Sequence, residues 1–244
     1  MSKLRAPLDP VADLRRRLAR AGPRTLGLAK IRVCVRRWWA DHGLAAHPAT
    51  VGRRIAIVLI EQRSIAHKLA GILVLEQLGD RLRATDVPVF SRLFGGGHLA
   101  AFELVDRFAT RVLGVLLDRE AGQVDAVRAI ASWRSADIAW QRRAACVSFI
   151  RLAALGDSTV PGLTSIILGV CATVVWSPVR CDQTAVGWVL RELSCAEPFR
   201  MESYFLRHAR FMSRECARLA VSKLPAMQRS LLLARHARAT TLRR

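Results

Sequence analysis

Two side chains four residues apart, Phe102 and Asp106, are the first candidates for chemistry in this sequence. Residues at positions i and i+4 share one helix face, so an aromatic ring would lie beside a carboxylate. A carboxylate at the edge of an apolar face is costly unless it is paired or used. When it is used, it can stabilise positive charge that develops beside it and can orient a water molecule. The alternative is an ion pair with Arg107, Arg111 or a residue of another helix. The neighbouring apolar positions are Leu99, Val105, Ala109, Val112, Leu113 and Leu116.

A basic stretch at 133–145 could supply partners for this carboxylate. Trp140 stands near the start of its helical part, and Arg142 and Arg143 follow. Adjacent residues point to different helix faces, so one of these arginines can meet solvent or phosphate while the other points inward. Taken alone, Trp140 would more often be a packing anchor between helices.

A third stretch, 183–192, contains Gly187, Trp188 and Arg191. A glycine directly before a tryptophan in a helix permits close packing and leaves the face of the indole accessible. The alternative for Trp188 is again a packing anchor.

Helices must position these residues, because the pattern is helical nearly throughout and continuous β-type alternation is missing. Such a series of antiparallel helix pairs with short turns is typical of an α-solenoid, whose concave side offers an extended surface. We predict an all-α fold of this kind, with degenerate repeats and one domain over 1–224, followed by a basic tail at 225–244; a globular helical bundle is the alternative. The predicted helices are 10–21, 26–41, 48–61, 65–78, 86–93, 99–119, 123–133, 137–155, 162–176, 182–195, 198–209 and 211–223.

The charge of the chain favours a polyanionic partner. It has 39 Lys and Arg against 19 Asp and Glu, a net charge of +20. Neutralising phosphates releases condensed counterions, so nucleic acid is the first candidate partner. An acidic membrane surface is the rival. A high-GC genome would explain the preference for Arg over Lys, but not the excess over acids. We predict a basic concave surface that matches the width of a DNA duplex.

The cysteines and histidines predict neither a metal site nor a cofactor. No two cysteines form a CxxC pair, and the histidines form no HxxxH or HExxH pattern. We interpret the cysteines as reduced core residues. The first residues also lack the apolar core of a signal peptide. The cysteines indicate a cytoplasmic protein, and we expect a monomer that is associated with the nucleoid. The cysteines are Cys34, Cys146, Cys171, Cys181, Cys195 and Cys216.

The uncharged segment 158–179 approaches the length of a membrane span. Pro161 and Pro178 shorten its usable helix to roughly 16 residues, below the usual ~20. We therefore predict a buried inner helix and no membrane contact.

The pair Trp38 and Trp39 could face DNA or pack inside, and we favour packing.

Together, in this order and spacing, the three stretches resemble the AlkD-like DNA alkylation repair family. These are HEAT-like-repeat DNA glycosylases that excise alkylated purines. The resemblance covers roughly residues 60–225 and is strongest at 185–192 and 140–145. It implies an α-solenoid of HEAT-like antiparallel helix pairs that binds damaged double-stranded DNA. It also implies an open groove that acts on the sugar-phosphate face without a closed pocket for the base.

The resemblance implies a role for individual residues. Asp106 would be the catalytic carboxylate, Arg143 a contact to the DNA backbone, and Trp188 one aromatic wall of the site. The family's other wall is a tryptophan four residues before the aspartate, and this chain has Phe102 there, which keeps a π-face but lacks the indole N–H.

Three further residues complete the predicted DNA-binding set: Arg142, Trp140 and Arg191. The substrate would be a cationic N3- or N7-alkylated purine, whose glycosidic bond is already weakened. Two alternatives stay open: a non-catalytic protein of the same scaffold that binds distorted or branched DNA, and a protein-interaction scaffold.

Overall fold

The structure is a computed structural model of the 244-residue chain. It describes residues 9–20, 27–118, 123–158 and 160–241. All regular secondary structure in these ranges is helical, as the sequence predicts. The α-helices are α1 (Pro10–Arg20), α2 (Leu28–Asp41), α3 (Ala49–Ile60), α4 (Ile65–Leu78), α5 (Val87–Gly95), α6 (Phe102–Phe108), α7 (Gly114–Leu117), α8 (Gln123–Ser132), α9 (Ala139–Val147), α10 (Ile150–Ala153), α11 (Leu163–Val174), α12 (Arg180–Ala196), α13 (Pro198–His208), α14 (Arg214–Ala220) and α15 (Ala226–Thr241).

The chain divides into two compact units, one of residues 1–82 and 88–100 and the other of residues 83–87 and 101–244. In the first unit, α3 and α4 approach closely at Gly71. A Cβ atom there would lie 2.6 Å from the carbonyl oxygen of Ala56. Trp38 and Trp39 are both buried, and the Trp38 indole donates a hydrogen bond to the carbonyl of Pro10. The prediction that this pair packs inside is confirmed.

The helix predicted at 65–78 has the predicted bounds in the structure. It is apolar on most of its circumference, as expected for a helix surrounded by protein. Gly79 ends it with a φ of +48°, a backbone conformation that favours glycine. Ser64 precedes it in an extended conformation, but its side chain makes no capping hydrogen bond.

The inner helix of the second unit is α12, which packs against α9, α10, α11, α13 and α14. Twelve of its seventeen residues are buried. The segment predicted as the inner helix, α11, buries only one face, and Ile166 and Gly169 on the other are exposed. The prediction that the most apolar segment is the inner helix is therefore wrong. The inner helix, α12, contains polar side chains that are buried because they form specific hydrogen bonds. No helix in the described ranges is long and apolar enough to span a membrane.

The long helix predicted at 99–119 is divided in the structure. It begins at Phe102, because Ala101 before it is extended. A π-helical turn at Ala109–Leu113 then separates α6 from α7, and residue 119 lies outside the described residues. A π turn adds one residue to a helical turn. Apolar side chains before and after it, such as Phe108 and Leu117, can therefore all face the core.

One other predicted helix also differs. The helix predicted at 137–155 breaks into α9 and α10 at Ser148 and Phe149. The predicted tail contains α15, which is anchored by buried Leu232 and His236; residues 242–244 lie outside the described residues. Its docking depends on residues remote in the sequence, such as Met212, whose carbonyl oxygen contacts His236, and local periodicity does not predict such a contact.

The cysteines match the predicted core role at four of six positions. Cys146, Cys171, Cys181 and Cys216 are buried, whereas Cys195 is exposed. Burial raises the pKa of the Cys216 thiol to about 12, so this group stays a protonated thiol.

Candidate functional site

Arg143 holds the carboxylate of Asp106 through two parallel hydrogen bonds. Its Nε lies 2.6 Å from Oδ1 and its Nη2 lies 2.8 Å from Oδ2. The Nη1 of the same guanidinium donates to the Cys181 carbonyl and to the Thr184 hydroxyl, both at 2.9 Å. Arg143 is 3% exposed. Such a two-point contact fixes the plane and the position of the carboxylate.

Asp106 is paired and yet accessible. Its side chain is 24% exposed, against 4% for that of Arg143. It lies on α6, one turn before the π turn, and the Thr110 hydroxyl donates to its backbone carbonyl at 2.7 Å. The ion pair expected as the alternative therefore exists, and its partner is Arg143, a residue of another helix. The open side of the carboxylate is free to meet a ligand.

Aromatic rings lie beside this ion pair. Phe102 is 38% exposed, and the Arg143 guanidinium carbon lies 4.5 Å from its ring centroid. Trp140 meets the same ring edge-on, with 5.0 Å between centroids. This geometry is a favoured one for aromatic pairs. Asp106, Arg143, Phe102 and Trp140 thus form one cluster on α6 and α9, the "carboxylate cluster" below.

Arg180 also reaches the carboxylate cluster, although no sequence pattern indicated this residue. Its guanidinium carbon lies 5.6 Å from the Phe102 centroid. It also forms two hydrogen bonds with Glu215, of 2.8 and 2.7 Å, and its side chain is 70% exposed. The available signal was its position at the start of α12, two residues after Pro178, but an arginine there has no distinctive spacing to the other candidates.

Arg142 makes contacts of a different kind. Its Nε and Nη2 donate to Asp182 Oδ2 at 3.0 and 2.6 Å, and its Nη1 donates to the carbonyls of Ala136 and Asp137. Asp182 is fully buried. All three nitrogens of this guanidinium therefore have partners in the protein. The two neighbouring arginines attach α9 to α12, and a DNA contact for Arg142 stays a prediction.

Trp188 and Arg191 lie on the face of α12 that carries Thr184, since positions i, i+4 and i+7 share a helix face. Thr184 contacts Arg143, so Trp188 begins about one turn from the carboxylate cluster. The Arg191 guanidinium carbon lies 5.8 Å from the Trp188 ring, and its Nη2 pairs with Glu192. The indole N–H of Trp188 is buried and has no hydrogen-bond partner within the described part of the chain.

Gly187 lets α12 approach α14 closely. A Cβ atom at this position would lie 2.8 Å from the carbonyl oxygen of Cys216 and 3.1 Å from the Cβ of Leu219. The close packing expected at this glycine is confirmed.

We expect Gly187→Ala to lower the free energy of unfolding by about 1–3 kcal/mol, because overpacking forces the backbone of α14 to move. Urea denaturation followed by circular dichroism measures this. Gly169→Ala is the matched control, since nothing lies within 4 Å of a Cβ at this exposed helical position. It should raise stability by about 0.5–1 kcal/mol. Equal effects of the two substitutions would contradict the close contact.

The described ranges contain no group of three or more His, Cys, Asp or Glu residues that could hold a metal ion. The chemistry available to the carboxylate cluster is that of a fixed, partly exposed carboxylate beside exposed aromatic and cationic groups. Such a group stabilises positive charge and attracts cationic rings.

Comparison with known proteins assigns the chain to a family. A family model described as DNA alkylation repair enzyme matches residues 18–224. No curated protein matches the chain. The match includes every residue of the carboxylate cluster together with Arg142, Trp188 and Arg191. The protein therefore belongs to the DNA alkylation repair enzyme family.

Proposed function

We propose that this protein is an AlkD-like DNA glycosylase that hydrolyses the N-glycosidic bond of cationic N3- or N7-alkylated purines in duplex DNA. The observation that carries the proposal is the geometry of Asp106. Its carboxylate is fixed by Arg143 on one side and is accessible beside the exposed ring of Phe102 on the other. Membership of the DNA alkylation repair enzyme family supports DNA as the substrate.

The reaction needs little beyond this carboxylate. An alkylated cationic purine leaves as a neutral base, so no acid has to protonate it. Positive charge then develops on the sugar, and a fixed anion lowers the energy of that state. Asp106 would stabilise this charge and orient the attacking water. Its partial exposure fits a site that acts from the sugar-phosphate side, without enclosing the base.

The arrangement of the arginines refines their proposed roles. Arg143 has five N–H groups, and four of them are engaged by Asp106, Cys181 and Thr184. Its main task would be to hold the carboxylate, with at most one N–H left for a phosphate. Exposed Arg180 is better placed to bind the backbone of DNA.

The proposed scaffold is the α-solenoid of HEAT-like helix pairs, with a basic concave surface against the duplex. The net charge of +20 supports this surface. Phe102, Asp106 and Trp188 would form the catalytic set, and Arg143, Arg142, Trp140 and Arg191 the DNA-binding set. We propose a monomer that acts in the cytoplasm at the nucleoid and needs no cofactor.

Release of free 7-methylguanine from methylated duplex DNA, measured by chromatography, tests the proposal directly. Release above the spontaneous rate, at a level that rises with protein concentration, is the expected result. DNA binding without any release would favour the second candidate, a non-catalytic protein that binds distorted or branched DNA. Engagement of both Asp106 oxygens by Arg143 is the observation in its favour.

Phe102 sets the strength of the aromatic wall. A tryptophan face attracts a cation more strongly than that of phenylalanine, by an amount on the order of 1 kcal/mol. We therefore expect Phe102→Trp to increase base release by about fivefold to tenfold. Phe102→Leu, which keeps the apolar bulk but removes the π-face, should lower it. Equal release by all three proteins would show that the ring has no part in catalysis.

A further inference from the structure

A second aromatic surface lies on the unit of residues 83–87 and 101–244, and the proposed function does not use it. Trp176 is 60% exposed, and its ring centroid lies 3.6 Å from that of Phe211, with 37° between the planes. The Arg210 guanidinium carbon lies 4.5 Å from the Phe211 centroid. These residues line a groove of about 600 Å³, called the Trp176 groove below, together with Ser177, Pro178, Gln183, Met212, Ser213 and Thr240.

One buried glutamine holds the two loops of the Trp176 groove. Gln183 is 3% exposed. The two N–H groups of its Nε2 are shared among the carbonyl oxygens of Val175, Ser177 and Phe211, which lie 2.7, 2.8 and 3.1 Å from the nitrogen. Its Oε1 accepts from the backbone N–H of Ser213 at 2.8 Å. Both ends of one amide thus join the loop that carries Trp176 to the loop that carries Phe211.

Helix α15 supports the same loop from another side. The Nε2 of buried His236 lies 3.0 Å from the carbonyl oxygen of Met212. Hydrogen bonds from Gln183 and His236 therefore fix the backbone that carries the Trp176 and Phe211 rings. A surface ordered in advance loses less entropy when a ligand binds.

The composition of the groove indicates the class of ligand. A single exposed apolar residue is ordinary on a protein surface. Here an exposed indole touches a second ring, and a guanidinium covers that ring. Flat rings beside cations are the elements that bind single-stranded nucleic acid, because bases stack on the rings and phosphates pair with the cations. Arg210 is exposed, and the chain is strongly basic.

The Trp176 groove lies close to the carboxylate cluster along the chain. Trp176 and Arg180 are four positions apart in the sequence, so their Cα atoms are at most about 14 Å apart. Arg180 in turn lies over the ring of Phe102. A distance of this size corresponds to roughly four base steps of a duplex. The spacing of Trp176 and Arg180 is thus within the length of a short DNA strand.

We propose that the Trp176 groove binds an unpaired nucleobase of DNA, stacked on the indole of Trp176, with Arg210 pairing with a nearby phosphate. The inference takes from the proposed function only that DNA is the partner, and it requires no glycosylase activity. It gives the protein a means to prefer DNA in which a base near the bound lesion has left the helix.

Fluorescence of 2-aminopurine tests the proposal. The probe is a duplex with one bulged 2-aminopurine, and the comparison duplex is fully paired. Stacking on an indole should quench the fluorescence of the bulged base when protein binds. We expect Trp176→Ala to remove the quenching and to weaken binding of the bulged duplex by about 5- to 100-fold, the range of one base–aromatic stack. Trp176→Phe should restore part of both.

The matched control is Phe199→Ala, which removes another exposed aromatic ring, 85% exposed, from the same unit. It should leave binding and quenching unchanged. A duplex whose bulge is an abasic nucleotide should bind the wild-type protein as weakly as the paired duplex. Equal affinity of wild type and Trp176→Ala for the bulged duplex would overturn the proposal, as would tight binding of the abasic bulge. Base release from methylated DNA is measured separately, so failure of the glycosylase proposal leaves this test intact.

Discussion

Replacing Asp106 by Asn should lower the rate of alkylpurine release by at least about 100-fold while changing DNA affinity by less than about threefold. The amide keeps the shape of the side chain but removes the negative charge that would stabilise the positive charge on the sugar. Loss of one such preorganised electrostatic contact commonly costs 10²- to 10³-fold in rate. Single-turnover release of 7-methylguanine measures the rate, and fluorescence anisotropy with the same duplex measures the affinity.

Glu103→Gln is the matched control for this substitution. Glu103 lies on the same helix, α6, and its side chain is exposed. Both substitutions turn a carboxylate into an amide, so each removes one negative charge. It should leave the rate of release within about twofold of wild type, because an exposed carboxylate is screened by solvent. Wild-type release by Asp106→Asn would exclude the catalytic role. A similar loss in both variants would mean that overall charge, and not position, governs the rate.

Replacing Arg142 by Ala should lower the free energy of unfolding by about 3–5 kcal/mol, the usual cost of removing one partner of a buried ion pair. The carboxylate left behind, that of Asp182, is fully buried, and Arg142 provides both hydrogen bonds to its Oδ2. The same substitution also frees the carbonyls of Ala136 and Asp137. Urea denaturation at equilibrium measures the loss.

The control is Arg151→Ala, which breaks the ion pair with Asp118, 2.8 Å long. The Arg151 side chain is 76% exposed, so this change should cost at most about 1 kcal/mol.

The pair of variants also decides between two roles for Arg142. Unchanged stability of Arg142→Ala, combined with weaker DNA binding, would assign this residue to the DNA interface that the sequence predicts. A large loss of stability assigns it to the attachment of α9 to α12.

The sequence alone determined the helical nature of the chain and many helix bounds. Helix α4 matches its predicted range because apolar residues occupy most of its circumference and Gly79 ends it. The spacing of Phe102 and Asp106 also determined that their side chains share a helix face. These features depend on residues within a few turns of each other, so local periodicity and local backbone preferences are enough to predict them.

The tertiary structure decided which arginine meets which carboxylate. Arg143 and Asp106 are 37 residues apart, and Arg142 and Asp182 are 40 apart. Adjacent arginines look equivalent in the sequence. Their different partners depend on how α9 lies against α6 and α12, which no local pattern records. For the same reason, the position of Arg180 beside Phe102 could not be predicted from the sequence.

Gln183 and the described part of the predicted tail also make contacts that the tertiary structure decides and that the local sequence does not predict. Gln183 joins two loops that are remote from each other in sequence, and α15 docks through two buried residues. Each contact depends on the relative positions of whole helices. Short-range periodicity therefore determined which residues could form this protein's sites, and helix packing determined which of them came together.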